Sequence, residues 1–277
     1  MIEKRIGIVG MGVVGSATAK MFKTLGHDIC SYDKDKTKWL GHGWAGQSSF
    51  MDYMIKTRDA IFLCLPTEST KKGIDISIVD SVCKELSAKH YKGLVVIKST
   101  VIPGTCEKLM KKYDLNIAHN PEFLTAVNPF ADSLHPDKIV VGIENSDLDS
   151  MQLLINLYNH PIFKGVKMIV CPLKTAEMIK YACNCELAMQ VSFANELYDL
   201  CKKKDICYES VEEAMKYDKR IGTFKRVNPK DRGYGGMCFP KDTWAFWKWS
   251  KSKMIEATIK VNKKIRGITF KDKEVKK

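Results

Sequence analysis

Short apolar runs alternate with amphipathic stretches over the first 172 residues of the chain. Ile6, Ile8 and Val9 open the series and DICSY follows at 28–32. DAIFLCLP, GLVVIKST, LNIAHNP, DKIVVGI and MIVCP continue it at 59–66, 93–100, 115–121, 137–143 and 168–172. Apolar runs without polar alternation predict strands buried on both faces. IVDSVCKELSAKH and MQLLINLYNH, lying between some of them, carry apolar residues at helical spacing. The alternation predicts an α/β fold, with a Rossmann-type, doubly wound, mostly parallel sheet over residues 1–172. From about Lys174 the pattern changes. TAEMIKYACNCELAMQVSFANELYDLCKKK contains no Gly or Pro, which predicts one helix about 45 Å long. That exceeds what a small domain needs, so the helix is expected to bridge domains or subunits. Residues 173–277 are expected to hold this connecting helix and a small all-helical domain.

The first strand runs into Gly10, Gly12 and Gly15, a G-x-G-x-x-G loop followed by the small residues Ser16, Ala17 and Ala19. Gly10 suits a tight turn, Gly12 close approach of a pyrophosphate, and Gly15 close packing of helix on strand. Asp33 follows the second strand, where an acid can accept from both ribose hydroxyls and repel a 2′-phosphate. The expected cofactor is therefore NAD, although Lys34, Lys36 and Lys38 close by count toward a phosphate. A flavin or non-nucleotide Rossmann domain is the minor alternative. Turns at strand ends face the ligand in such sheets. Cofactor contacts are accordingly expected from Gly10, Gly12, Val13, Val14, Gly15, Asp33, Lys38, Pro66, Thr67, Ser99 and Thr100.

Hydrophobic residues make up 45% and charged residues 28% of the 277, which marks a globular chain and not a disordered one. No apolar run is long enough to span a bilayer, and the first residues carry no signal-peptide pattern. A soluble, cytoplasmic protein is expected. The ten cysteines are scattered without a CxxC pair. Cys183 and Cys185 are two apart and share no helical face, so no metal site is expected. The net charge of +13 favours anionic partners. Lys260, Lys263, Lys264, Arg266, Lys271, Lys273, Lys276 and Lys277 read as a solvated tail, and no nucleic-acid motif accompanies them.

GYGGMCFPKDTWAFW, residues 233–247, places Cys238 between a diglycine and a proline suited to the first position of a helix. There the helix dipole and unpaired N–H groups favour a thiolate, Lys241 adds positive charge, and Asp242 lies one turn on. A buried structural cysteine is the commoner use of the residue. Lys180 and Asn184, four apart, share a helical face that could hold an oxyanion; the spacing fits a merely wet face equally well. A dinucleotide with a reactive thiol suggests an aldehyde-level intermediate captured covalently.

GIVGMGVVGSATA, KSTVIPGT, NPEFL, TAEMIKYACN, YDKRIG and GYGGMCFPKDT resemble, in order and character, the motifs of the UDP-glucose/GDP-mannose dehydrogenase family. The resemblance implies a four-electron oxidation of a nucleotide sugar's primary alcohol, UDP-glucose to UDP-glucuronate foremost, in a homodimer joined through its central helices. It thereby implies that the small all-helical domain of residues 173–277 is a dimerisation domain. It implies that Cys238 forms the thioester and that Lys180 and Asn184 meet the oxyanion. Asp242 and Thr100 are then expected to handle the catalytic water, and Glu122 to assist hydrolysis. Substrate contacts are expected from Glu122, Phe123, Leu124, Lys180, Asn184, Tyr234, Gly235, Gly236 and Arg220, the last reaching a neighbouring subunit's sugar. Two departures stand out. The family's second acid after NPEFL is replaced by Ala126, with Val127 next to it, and its third, C-terminal domain is expected to be absent. Two other readings stay open: a single-oxidation enzyme of the 3-hydroxyacid or 6-phosphogluconate type, and a catalytically weak NAD-binding protein.

Overall fold

The computed structural model describes residues 3–38, 40, 50–125, 127–144, 147–221 and 227–267. The expectations attached to Ala126 and to the lysines of 271–277 lie outside the described residues. In chain order, β1 (Arg5–Val9), α1 (Val13–Thr24) and β2 (Asp28–Tyr32) form the first βαβ unit. α2 (Phe50–Thr57) and β3 (Ala60–Leu63) follow, then a hairpin of two-residue strands, β4 (Ser69–Thr70) and β5 (Gly73–Ile74). α3 (Ser77–Ala88), β6 (Leu94–Ile97), α4 (Thr105–Tyr113) and β7 (Ile117–His119) continue the alternation. α5 (Pro129–Leu134), β8 (Lys138–Gly142), α6 (Leu148–Leu157) and β9 (Lys167–Cys171) complete it. Four helices remain: α7 (Leu173–Lys203), α8 (Tyr208–Tyr217), α9 (Phe239–Ser250) and α10 (Lys253–Arg266).

Seven strands pair in the order β2-β1-β3-β6-β7-β8-β9. Every pairing is parallel except β7 with β8, which meet antiparallel at His119 and Gly142. The mostly parallel sheet is therefore as expected from the apolar runs. Val9 pairs with both Tyr32 and Leu63, and Leu63 with Ile97, so the carboxyl ends of β1, β2, β3 and β6 finish on one edge. Alternate residues fill two cores. Ile6, Ile8, Phe62 and Val96 face one, with Phe22 of α1. Val9, Ile61, Leu63, Val95 and Ile97 face the other, with Leu86 of α3 and Leu109 of α4. Both faces are dry over β1, β3 and β6, which is why these strands read as uninterrupted apolar runs, whereas the edge strand β9 is partly exposed.

By contacts the chain divides into two units. One is Met1–Thr67 with Asp75–Lys180, and the other is Glu68–Ile74 with Tyr181–Lys277. The division falls inside α7, beyond the boundary at residue 172 read from the sequence. The reason is that the first turns of α7 belong to the sheet unit. Leu173 joins its core, and Ala176 packs so close to Gly142 that a Cβ there would come within 2.5 Å. The helix itself spans 31 residues, and Asp205 just past its end takes a left-handed conformation. The second unit is not wholly helical. The β4–β5 hairpin belongs to it, with Trp244 Nε1 donating to Thr70 O at 2.9 Å. Two-residue strands have no periodicity from which to be read. Among the described residues no helix is long and apolar enough to cross a membrane.

Gly15 fixes how α1 sits on β1. A Cβ at this position would lie 1.8 Å from Gly10 O. Backbone cannot yield there as a flexible side chain would, so Gly15→Ala is expected to destabilise the sheet unit by about 3 kcal/mol. The midpoint of urea unfolding measures it, and an unchanged midpoint would show that α1 can shift freely.

Candidate active site

The cofactor residues gather at the shared strand edge. Gly10 ends β1 with φ 91°, and a side chain there would meet Cys64 O at 2.5 Å. Gly12 is the N-cap of α1 and offers no side chain; a Cβ on it would meet nothing within 4 Å. The first N–H groups of α1 thus open onto space, the condition for taking a phosphate. Val13 at the helix start is exposed and Val14 half-buried. Asp33 follows β2 and accepts from Met11 N at 2.6 Å and Asp35 N at 3.0 Å. Burial pulls its carboxyl upward, but these two N–H groups and Lys38 outweigh burial and hold it below the ordinary value. It is an anion at neutral pH beside the glycine turn, a carboxylate of the kind that accepts from ribose hydroxyls. Lys38 is exposed and sits 3.8 Å from Asp35.

Two further loops are laced together beside it. Ser99 Oγ accepts from Leu65 N at 2.9 Å and donates to Leu65 O at 2.8 Å. Thr67 Oγ1 donates to Thr100 O at 2.9 Å, while Pro66 is exposed. This set of an open helix N-terminus, an ionised acid and two rigid strand-end loops fits a dinucleotide.

The sheet unit also builds a buried ion pair. Lys180 Nζ donates to Glu122 Oε1 at 2.8 Å and to Glu122 O at 2.7 Å. The two side chains are 4% and 9% exposed, a degree of burial that is costly for a charge and is here met by pairing. Burial alone would push the Glu122 carboxyl up. The Lys180 ammonium, the Leu124 N–H and the more distant Lys98 instead hold it below its ordinary value. Phe123 lies under two cations, Lys138 at 4.2 Å and Lys180 at 5.3 Å from its ring centre. Leu124 is half-buried behind Glu122.

Sequence reasoning passed over the support beneath this turn. Lys98 is buried and donates to Asn120 Oδ1 at 2.8 Å. Asn120 in turn receives Tyr158 OH at 2.6 Å and donates to Val140 O at 2.7 Å. Burial pushes the Lys98 amine down to about 8, against the pull of Cys64 and Glu122. Lys98 and Asn120 stand inside the quoted KST and NPEF stretches, and their polarity next to apolar strands was the available signal.

The second unit holds the remaining candidates. Cys238 is exposed at the N-cap of α9. The helix begins at Phe239, so Pro240 takes its second position and not the expected first. Asp242 is 1% exposed; its carboxylate accepts from Asn184 Nδ2 and from Lys241 Nζ, each at 2.6 Å. Asn184 and Asp242 are thus brought together. Tyr234 is not presented outward. Its ring is buried with the OH 3.4 Å from Thr243 Oγ1, and Asn262 bonds both its N–H and its carbonyl. That leaves the exposed Gly236, at φ 75°, as open backbone before the cysteine, whereas Gly235 is half-buried against the Arg266 guanidinium. Arg220 meets no other candidate. It forms a forked pair with Asp218 at 2.9 and 2.6 Å and is 89% exposed. Among the described residues no cluster of three or more potential metal ligands exists.

Comparison with known proteins bears on both units. Residues 44–162 match the NAD binding domain of the UDP-glucose/GDP-mannose dehydrogenase family, and residues 174–264 match its central domain. Residues 1–85, which include the glycine loop, also match the NAD binding domain of D-isomer specific 2-hydroxyacid dehydrogenases. NAD is accordingly the cofactor of this domain. A UDP-glucose 6-dehydrogenase of Rickettsia bellii is 33% identical over 93% of this chain and 66% of its own length. One of Rhizobium meliloti is 31% identical over 93% of this chain and 67% of its own. The chain thus spans about two thirds of the length of these relatives. A UDP-glucose dehydrogenase structure from Pyrobaculum islandicum superposes with a TM-score of 0.81 at 28% identity, over 95% of this chain and 69% of that one. Matched across its NAD-binding and central domains alike, the chain belongs to the UDP-glucose/GDP-mannose dehydrogenase family.

Proposed function

We propose that the chain is an NAD-dependent nucleotide-sugar 6-dehydrogenase, acting as the UDP-glucose 6-dehydrogenases it resembles. It takes a primary alcohol to an acid, with UDP-glucose to UDP-glucuronate the foremost pair. The observation that carries this reading is Asp242, buried one turn behind the exposed Cys238 and held between Asn184 and Lys241. A single oxidation to a carbonyl has no use for a thiol so supported.

NAD held by the Gly10–Gly15 loop, Asp33 and the loops after β3 and β6 supplies the hydride acceptor for both oxidations. Cys238 Sγ, as thiolate, adds to the aldehyde carbon and makes a thiohemiacetal. The Lys180 ammonium and the Asn184 amide meet its oxygen as negative charge develops there. Lys180 engages two of its three N–H groups with Glu122 and has one to give. The second oxidation leaves a thioester. Water placed by Thr100, losing its proton toward Glu122, attacks the thioester carbon. The C–S bond breaks, and Cys238 regains its thiol. In sum, one alcohol and one water give one carboxylate, two hydrides and three protons. Phe123, Leu124, Gly235 and Gly236 line the sugar's path, Asp242 keeps Asn184 oriented, and covalent capture prevents loss of the aldehyde.

We further propose a homodimer through the central helices. Phe193 and Leu200, seven residues apart on α7, are 54% and 51% exposed and share one face. In the dimer Arg220 leaves Asp218 for the neighbour's substrate.

With excess NAD and limiting UDP-glucose, two NADH per sugar and an acid product are expected. Cys238→Ser should lower turnover at least about 10³-fold while NAD still binds. One NADH per sugar would place the protein among single-oxidation enzymes. Lys180→Met removes the cation that holds Glu122 down and leaves burial, which acts upward. The Glu122 carboxyl, followed by carbon-13 NMR, is therefore expected to titrate higher in the variant than in the native chain, where it lies below its ordinary value. Native stability drawn from this pair is present at neutral pH and is lost as pH falls through the lowered value. Sedimentation should give a dimer mass, converted to a monomer by Phe193→Glu with Leu200→Glu; a native monomer would sink the assembly.

A further inference from the structure

Glu177 lies one helical turn before Lys180 on α7 and is fully buried, yet its carboxylate serves another helix. Its Oε1 accepts from Cys106 N at 2.8 Å and its Oε2 accepts from Gly104 N. Gly104 is the N-cap of α4, with φ 93° and no side chain to offer. Helix N-termini usually draw such a cap from a Ser, Thr, Asp or Asn in the loop itself. Here the acceptor arrives from a helix more than seventy residues further along the chain. The loop that ends at Gly104 starts at Lys98 and carries Ser99 and Thr100. Ser99 and Thr67 fasten its beginning; Glu177 fastens its end.

We propose that Glu177 is a positioning residue, tying the loop that presents Ser99 and Thr100 to the turn of α7 that presents Lys180. One side of α7 then holds two strand-end loops at once, through Glu177 to the β6–α4 loop and through Lys180 to the Glu122 turn. Burial raises the Glu177 carboxyl, and the N–H groups of Cys106 and Gly104 draw it back part of the way. The loop is thus held by groups that cannot be resolvated without moving the helix. A cap serving α4 alone would stabilise that helix without bearing on Lys180 or Thr100.

The inference rests on the dehydrogenase roles proposed for Thr100 and Lys180, so two arms of its test need no turnover. Glu177→Gln keeps the volume and one acceptor oxygen; Glu177→Ala removes both. In the full-length chain, amide exchange over residues 98–106 is expected to speed up about tenfold in the alanine variant while β1 and β6 stay protected. In the same variant the Glu122 carboxyl should titrate higher, because Lys180 is held less firmly against it. Turnover should fall by about tenfold to a hundredfold with NAD affinity within about threefold of native. The glutamine variant should lie between. Unchanged loop exchange, or faster exchange with Glu122 titrating as in the native chain, would overturn the proposal and leave a simple cap. Loss of NAD binding in parallel with thermal stability would overturn it too. A native chain without turnover would remove the dehydrogenase reading, while the exchange and titration arms still decide whether Glu177 holds loop and helix together.

Discussion

A parallel sheet must be dry on both faces, and each of its strands must be reached by a crossover. That constraint decides where chemistry can occur in the larger unit. Ile6 and Ile8 fill one core while Val9 fills the other, so none of these β1 side chains can face a ligand. The same holds for Ile61, Phe62 and Leu63 and for Val95, Val96 and Ile97. Function is pushed to the strand ends, where the pairing register sets Gly10, Asp33, the Pro66–Thr67 turn and the Ser99–Thr100 turn on a common edge.

The charges buried beside that edge are costly, and their arrangement shows how the cost is contained. Glu122 and Lys180 neutralise each other, and the backbone N–H of Leu124 takes the second carboxylate oxygen. Lys98 has an amide and a carbonyl oxygen but no carboxylate within bonding distance among the described contacts, and burial weakens its amine accordingly. Buried ionic groups of this kind contribute little net stability compared with apolar residues of the same size. Their value lies in fixing where a carboxylate and an ammonium stand. In the second unit Asp242 follows the same rule, with an amide on one oxygen and an ammonium on the other.

Much of this was legible in the sequence because periodicity and spacing are local signals. The apolar runs gave the strands, overshooting the ends of β3 and β6 by three residues where the turns begin, and the absence of Gly and Pro gave α7. The glycine loop and Asp33 carried their own spacing. What stayed hidden was long-range. Nothing near Gly104 announces that its cap is Glu177, and nothing near Thr70 announces Trp244. Asn120 sits in a quoted motif, yet its link to Tyr158 depends on α6 folding back over the sheet. Arg220 shows the converse: two residues from Asp218, it forms the ion pair that its immediate neighbourhood suggests. Tyr234 sits beside two glycines that suggest a binding loop, but a phenol ring buries more readily than it waits in solvent, and Asn262 of α10 secures it.

The hairpin formed by β4 and β5 has a consequence for the order of events as the chain is made. Its carbonyl partner, the Trp244 indole, lies 174 residues downstream. A segment of seven residues interrupts the sheet unit and must wait for that indole until the chain has been made as far as α9. The sheet unit can gather most of its contacts from neighbours in sequence, whereas the second unit closes on a contact of very high sequence separation. Such contacts are slow to form and leave partly folded chains exposed to wrong associations. Synthesis from the N-terminus therefore delivers a nearly finished cofactor domain first, with the unit that carries Cys238 completed after it.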